Sequence, residues 1–143
     1  MVVTITLNGK KVEALVKPDT LLIDFVRDHG CYSVKRGCET SNCGLCTVFV
    51  NDKPVLSCSM LVARVNGCKV DTLEGLQKEA EEFGAFIADQ GAEQCGFCNP
   101  GMIMNDEEIK EYLAGNLCRC SGYEGQMRGI KAFLEYKKNG GSR

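Results

Sequence analysis

Short apolar runs separated by turn residues occupy the first half of the chain and predict a β-rich fold. The run "VVTITL" is rich in β-branched residues, and Asn8-Gly9 separates it from "KVEALV", which predicts a two-residue hairpin. Pro18 opens a short predicted helix, "LLIDFVRDHG", which ends at Gly30. Further strands are predicted at "TVFV" and "KVDTL", with "NDKP" as the turn that leads to Val55. This half therefore predicts a small sheet with one helix.

Apolar residues in the second half recur with helical spacing, so each predicted helix buries one apolar face. The three sets of positions are Leu76, Ala80, Phe83 and Ile87; Ile109, Tyr112, Leu113 and Leu117; and Tyr123, Met127, Ile130 and Leu134. A β-rich half followed by a helical half predicts an α+β protein with two domains that meet near residue 75. The predicted domains cover residues 1–75 and 76–143.

Length and composition restrict the function classes. The chain has 143 residues, a net charge of −2 and no basic block, so neither nucleic acid nor an anionic membrane surface is expected as a partner. No apolar run approaches the roughly 20 residues of a membrane span, and the start, "MVVTITLNGK", lacks a signal-peptide layout. We therefore expect a cytoplasmic location. Two domains of roughly 70 residues each would be marginal without disulfides or metals.

Cysteine is unusually frequent. The ten cysteines are Cys31, Cys38, Cys43, Cys46, Cys58, Cys68, Cys95, Cys98, Cys118 and Cys120. In a secreted protein an even number would indicate a disulfide framework, whereas clustered thiols in a reducing compartment favour metal. His29 is the one histidine in the sequence, which excludes zinc sites with two histidines and the Rieske cluster. His29 itself is expected only to end a helix.

The first cysteine group has the C-x4-C-x2-C spacing of plant-type ferredoxins, which bind a [2Fe-2S] cluster. Its members are Cys38, Cys43 and Cys46, with Cys58 as a candidate fourth ligand. A loop around such a cluster must turn sharply and approach closely, which Gly37 and Gly44 permit. The alternative is a zinc knuckle with four cysteine ligands. Cys31 and Cys68 fall outside the pattern and are expected to be core or surface thiols.

The second group consists of two close pairs. Cys95 and Cys98 stand at the start of a predicted helical stretch, where positions i and i+3 share a face. Cys118 and Cys120 suit an extended or turning segment at the end of another. Pairs on facing elements of a small helical bundle would enclose a second cluster. The spacing leaves zinc open, and disulfides within the pairs would require an oxidising environment.

The whole arrangement resembles the iron–sulfur subunit of the molybdenum hydroxylases, which include xanthine dehydrogenase and aldehyde oxidoreductase. The matching segments are, in order, "VKRGCETSNCGLCTV", "LSCSML", "TLEGL", "GAEQCGFCNPGMIM" and "AGNLCRCSGY". The resemblance implies an N-terminal β-grasp, plant-ferredoxin-like domain followed by a four-helix-bundle [2Fe-2S] domain. Two [2Fe-2S] clusters are implied. Their ligands would be Cys38, Cys43, Cys46 and Cys58 for the cluster nearer the flavin, and Cys95, Cys98, Cys118 and Cys120 for the cluster beside the molybdopterin.

The same resemblance implies partners and a pterin contact. Gln94 matches a glutamine that hydrogen-bonds the pterin, and Cys120 matches the ligand whose sulfur lies near it. From the residues alone, Gln94 would be an ordinary polar residue at a helix start. The implied partners are a large subunit that holds molybdopterin cytosine dinucleotide and a medium subunit that holds FAD, in a heterotrimer. The segment "EEIKEYLAGNLCRCSGYEGQMRGIKAFL" is similar to the xanthine and purine dehydrogenases of anaerobes.

One segment departs from the family pattern. Only 19 residues separate Cys98 from Cys118, fewer than is usual in the family. The two arms leading away from these cysteines would be helices of unequal length. We favour residues missing at Asn105–Asp106 over the alternative, a capping-box-like helix start formed by Asn105 and Glu108.

These features together predict an electron-transfer subunit. Electrons would pass from the molybdopterin through the two clusters to FAD, and no catalytic residue is expected, because no acid–base pair, nucleophile, P-loop or G-x-G-x-x-G motif occurs. The alternatives are a free-standing two-cluster ferredoxin and a structural zinc scaffold.

Overall fold

A mixed five-stranded sheet forms the first half of the chain. The computed structural model describes residues 1–104 and 115–141. The strands are β1 (Val2–Leu7), β2 (Lys10–Leu15), β3 (Thr47–Val50), β4 (Lys53–Leu56) and β5 (Lys69–Asp71). Their order in the sheet is β2-β1-β5-β3-β4, with β1 and β5 parallel and the other neighbours antiparallel.

The predicted hairpin is confirmed. Strands β1 and β2 pair from Val2 opposite Leu15 to Leu7 opposite Lys10. The two turn residues, Asn8 and Gly9, have φ angles of 49° and 77°, the left-handed conformation that a tight two-residue hairpin needs at both positions. The strands predicted at "TVFV" and "KVDTL" are also present, although the second ends at Asp71.

One helix and three short 3-10 turns cover the sheet. The helix is α1 (Leu22–Asp28), and the turns are Ser57–Ser59, Val62–Val65 and Leu73–Gly75. His29 ends α1 as predicted, and its Nδ1 lies 2.7 Å from the carbonyl oxygen of Phe25. Apolar side chains from α1 and the inner face of the sheet form the first core. Its fully buried members include Val3, Ile5, Leu22, Ile23, Val26, Val48 and Val70.

A polar network closes one end of the sheet. Asn8 Oδ1 accepts a hydrogen bond from the Thr72 N–H at 2.8 Å, and Asn8 Nδ2 donates to Thr72 Oγ1 at 2.9 Å. Thr72 Oγ1 donates to the Glu74 carboxylate at 2.7 Å. That carboxylate also accepts from the Ser33 N–H and hydroxyl at 2.7 and 2.6 Å. The segment "TLEGL" therefore ties the hairpin turn to the loop after α1.

The second half is helical where the structure describes it. The helices are α2 (Gln77–Asp89), α3 (Asn99–Ile103) and α4 (Glu124–Lys138). Helices α2 and α4 pack together through Phe83, Phe86, Phe133 and Tyr136, whose ring centroids lie 5.2–5.7 Å apart. None of the helices in residues 1–104 and 115–141 is long and apolar enough to cross a membrane.

The apolar face predicted for α4 is confirmed, and that of α2 is confirmed at Phe83 and Ile87. Ile87 and Ile130 are buried in a second core, and the remaining apolar positions of α4 pack against it. The predicted helix through Ile109, Tyr112 and Leu113 lies outside the described residues. The spacing predicts that Leu117 lies on the same buried face, and this prediction is wrong: Leu117 lies in an irregular segment and is 61% exposed.

The proposed gap at Asn105–Asp106 and the alternative capping box with Glu108 also lie outside the described residues. The α+β class predicted from the sequence is confirmed by the mixed sheet and the helices.

Candidate metal centres

The first cysteine group lies on the loop between α1 and β3. Cys38, Cys43 and Cys46 are on this loop, and Cys58 is in the 3-10 turn that follows β4. Their thiols contact in two pairs, Cys38 with Cys43 and Cys46 with Cys58. The spacing C-x4-C-x2-C therefore brings two thiols together within the loop and presents the third to the distant fourth.

Backbone amides surround the thiol of Cys38. The amide of Thr40, followed by those of Asn42 and Cys43, donates to the sulfur of Cys38 and lowers its pKa to about 6. The bond from the Asn42 N–H is 3.4 Å long. Such a turn of converging N–H groups stabilises a thiolate before any metal is bound.

Cys43 and Cys46, the two buried thiols of this group, are held in an apolar environment. Burial raises the pKa of Cys43, and burial together with the Cys58 thiol raises the pKa of Cys46 to about 11. A thiolate at these positions needs a cation to offset its charge. Four sulfur donors without nitrogen or oxygen ligands suit iron–sulfur clusters and zinc, and they do not suit magnesium or calcium.

The second group joins two loops that precede α3 and α4. Cys98 stands at the start of α3 as predicted, but Cys95 lies three residues earlier in a loop, so the prediction that the two share a helix face is wrong. Gly96, with a φ of 70°, reverses the backbone between them. The Cys120 thiol donates to Cys95 Sγ at 3.5 Å, and Cys98 contacts Cys118. Two contacting pairs again result.

The environments within the second group differ. Cys95 and Cys120 are exposed, whereas Cys98 is buried. Burial and the neighbouring Cys118 raise the pKa of Cys98 to about 11. For Cys118, burial opposes ionisation, but the hydroxyl and N–H of Ser121 outweigh it and lower the pKa to about 7.

Tyr123 fixes the backbone at Cys118. The N–H of Cys118 donates to the Tyr123 hydroxyl oxygen at 2.7 Å. Tyr123 itself has a φ of 69°, an unfavourable conformation for a bulky residue. This conformation lies at the entry to α4, beside the second cysteine group, where the Tyr123 hydroxyl contacts the loop.

The comparisons with known proteins decide the family. Residues 5–84 match the family described as "2Fe-2S iron-sulfur cluster binding domain", and residues 72–107 match the "[2Fe-2S] binding domain". The "nicotinate dehydrogenase small FeS subunit" of Eubacterium barkeri is 38% identical over 136 aligned positions, which cover 85% of this chain and 87% of that protein. The chain belongs to the iron–sulfur subunits of the molybdenum hydroxylases. These subunits are electron-transfer components of oxidoreductase complexes.

Two further comparisons agree with this assignment. The "xanthine dehydrogenase iron-sulfur-binding subunit" of Escherichia coli is 39% identical over 135 aligned positions, covering 83% of this chain and 85% of that protein. Quinoline 2-oxidoreductase from Pseudomonas putida 86 has a solved chain with a TM-score of 0.85 and 33% identity, covering 98% of this chain and 97% of that one. The similarity therefore extends over both cysteine groups and most of the length of each relative.

The two cysteine groups of this iron–sulfur subunit meet through the backbone. The N–H of Leu117 donates to the carbonyl oxygen of Cys43 at 2.8 Å. Gly44, with a φ of +70°, lies against this segment, and a Cβ there would be 2.2 Å from the carbonyl oxygen of Gly115. Gly101 of α3 is equally close, because its Cβ would lie 2.5 Å from the Gly44 carbonyl oxygen. The sequence analysis expected Gly44 to let the loop approach a cluster; in the structure Gly44 lets this loop approach the main chain at Gly115.

Sequence reasoning missed two buried polar residues of this iron–sulfur subunit. Asn116 is 0% exposed and lies against Gly44 and Gly101, and its side-chain amide has no hydrogen-bond partner within the described residues. Gln126 is also 0% exposed, and its Nε2 donates to Cys98 Sγ at 3.8 Å. For Gln126 a signal exists in the sequence: it stands among the apolar positions of α4.

The remaining predicted residues have simpler surroundings. Gln94 is exposed and lies directly before Cys95, five positions ahead of α3, so it is not at a helix start. Cys31 is buried in the first core and Cys68 packs against that core, in agreement with their prediction as core or surface thiols. Within the described residues, no three histidine, cysteine or acidic side chains converge as ligands of a single metal ion.

Proposed function

We propose that this chain relays electrons from a molybdopterin centre through two [2Fe-2S] clusters to FAD. The observation that carries the proposal is the arrangement of eight thiols as four contacting pairs, with the two groups joined by the hydrogen bond from Leu117 to Cys43. When bound, the clusters would supply one-electron transfer. The chain would hold them, exclude water and set their potentials.

The pairwise contacts support binuclear clusters over zinc. Each iron of a [2Fe-2S] cluster takes two thiolates, whereas a structural zinc ion takes four ligands at one point. The proposed ligands of the first cluster are Cys38, Cys43, Cys46 and Cys58. Those of the second are Cys95, Cys98, Cys118 and Cys120.

We divide the chain into a β-grasp, plant-ferredoxin-like domain at residues 1–75 and a helical domain at residues 76–143. The sheet with α1 and its own core supports the first. Helices α2, α3 and α4 support the second, for which we propose a four-helix bundle.

The exposure of the thiols supports an orientation for the relay. Cys95 and Cys120 are exposed, and Gln94 lies beside them at the surface. We assign this surface to the molybdopterin cytosine dinucleotide of the large subunit, with Gln94 as a hydrogen-bonding group and Cys120 as the nearest ligand. The first cluster would then face FAD in a medium subunit.

The proposed assembly is a cytoplasmic heterotrimer. A reducing compartment suits ten free thiols. The relatives named above are called nicotinate dehydrogenase, xanthine dehydrogenase and quinoline oxidoreductase, so similar iron–sulfur subunits accompany different substrates. The segment around Cys118 favours a xanthine or purine dehydrogenase for this chain.

Metal analysis of the purified chain tests the proposal. We expect about four irons and four acid-labile sulfides per chain, with two distinct rhombic EPR signals after dithionite reduction. Zinc in place of iron would contradict it. Co-purification of the tagged chain should yield two larger subunits that carry molybdenum and flavin. Recovery of the chain alone with both clusters would favour a free-standing two-cluster ferredoxin.

A further inference from the structure

Gln126 is a polar residue at an apolar position. It lies on α4 three residues after Tyr123 and four before Ile130, so it shares their inward face. Its side chain is 0% exposed. A buried amide with an unsatisfied polar group costs stability. A leucine or methionine would fill the same space without that cost, so packing alone does not account for a glutamine here.

The amide of Gln126 is directed at one thiol. Its Nε2 donates to Cys98 Sγ at 3.8 Å, and its Oε1 has no hydrogen-bond partner within the described residues. The Cys98 thiol in turn points its own proton at Asn99 Oδ1, 3.7 Å away. That proton leaves when a thiolate binds iron, and among the described side chains the Gln126 amide is then the N–H donor that remains for this sulfur.

Cys98 is the position where such a donor has the largest effect. It is 5% exposed, whereas Cys95 and Cys120 are exposed to solvent. A hydrogen bond to a buried sulfur is not screened by water. Reduction adds negative charge to the cluster and its thiolates, so a donor to sulfur stabilises the reduced form more than the oxidised form.

We propose that Gln126 donates a hydrogen bond to the Cys98 sulfur and thereby raises the reduction potential of the second cluster. Gln126 is thus a positioning residue that acts through a ligand. The inference rests on the proposed function, since it requires a cluster bound by Cys98. It assigns the buried glutamine to the control of electron flow between the two centres.

The test compares Gln126→Met with the unaltered chain in an EPR-monitored redox titration. Methionine has a similar volume and no N–H donor. We expect both rhombic signals to be retained, the midpoint potential of the second cluster to shift to a lower value, and that of the first to stay unchanged. Ile130→Val is the matched control, because it loosens the same core without removing a donor, and it should leave both potentials in place.

The outcomes separate this inference from the function on which it rests. Two signals with unshifted potentials in Gln126→Met would overturn the role of Gln126 and leave the relay intact. An equal shift in Ile130→Val would overturn it as well, because packing would then be the cause. Absence of iron from the unaltered chain would instead contradict the proposed function.

A second measurement leaves Gln126 in place and so does not depend on how Gln126→Met folds. Glutamine labelled with 15N in the side chain is incorporated into a Gln94→Met chain, which removes the other glutamine next to the second cysteine group. Pulsed EPR on the reduced second cluster should detect coupling to a labelled side-chain nitrogen. No detectable coupling would overturn the proposed hydrogen bond.

Discussion

The backbone N–H of Leu117 donates a hydrogen bond to the carbonyl oxygen of Cys43, with the two atoms 2.8 Å apart. Cys43 is a proposed ligand of the first cluster, and Leu117 directly precedes Cys118, a proposed ligand of the second. The contact therefore links the two proposed sites through the main chain. The contact requires two stretches of main chain to approach without side chains between them, and Gly44 supplies that space.

Gly44→Ala should destabilise the junction between the two cysteine groups. The new Cβ would lie 2.2 Å from the carbonyl oxygen of Gly115, and the φ of +70° disfavours alanine. We expect a loss of at least about 2 kcal/mol in the free energy of unfolding, measured with urea. Gly84→Ala is the control, because nothing lies within 4 Å of its Cβ and its place in α2 favours alanine by up to about 1 kcal/mol. Equal effects of the two variants would contradict the prediction.

Replacement of one cysteine in each group should remove one cluster at a time. Cys46→Ser should abolish one EPR signal and Cys98→Ser the other. Each variant removes one of the two thiolates that hold one iron of the affected cluster. Cys68→Ser serves as the control, since this thiol packs against the first core and is not among the proposed ligands, and it should keep both signals and the full iron content. Loss of both signals in every variant would indicate misfolding rather than separate ligand sets.

Tyr123→Phe should weaken the loop that carries Cys118. The variant loses the acceptor for the Cys118 N–H, a bond of 2.7 Å, and leaves that donor partly buried without a partner. We expect a loss of about 1–2 kcal/mol in unfolding free energy and faster loss of iron from the second site during dialysis. The matched control is Tyr136→Phe, because the ring of Tyr136 packs against Phe86. Identical iron retention in the two variants would argue against this role.

Glu74 should make stability depend on pH in the acidic range. Burial opposes its ionisation, but hydrogen bonds from the Ser33 hydroxyl and N–H and from Thr72 outweigh it and lower the pKa. The unfolded carboxyl has its ordinary pKa of about 4.3. The stabilisation is therefore present above that pH and is lost as the pH falls through the lower folded value.

Glu74→Gln provides the comparison for this pH dependence. At pH 7 the variant should be less stable than the unaltered chain by about 1–2 kcal/mol, because a carboxylate accepts stronger hydrogen bonds than an amide. The difference between the two urea-unfolding curves should shrink below about pH 4. A difference that stays constant from pH 7 to pH 3 would show that ionisation of Glu74 is not its source.

Local signals in the sequence were enough for the hairpin, α1 and the apolar faces of α2 and α4. Asn8-Gly9 specifies a turn by its own conformational preference, and a helical period needs no knowledge of partners. Leu117 shows where this reasoning fails. It has the spacing of a buried position, but its N–H donates to the carbonyl oxygen of Cys43, and the segment that contains it is irregular.

The cysteine groups could be predicted from spacing, whereas the residues around them could not. The contacts of Asn116 with Gly44 and Gly101 join positions far apart in the chain. Such packing depends on the tertiary fold, so no local pattern announces it. Gln126 was detectable only as a polar interruption of an apolar face, and its target, Cys98, becomes evident only in the folded chain.

The second core includes Cys43 and Leu45, which belong to the loop of the first cysteine group. The helices therefore close over a surface that the sheet half provides. An engineer who exchanges helical halves between related subunits at residue 75 would leave this surface mismatched. A chimera that takes residues 38–46 from the same parent as its helices would keep the contacts of the second core matched. The segment to exchange therefore comes from two separate stretches of the gene.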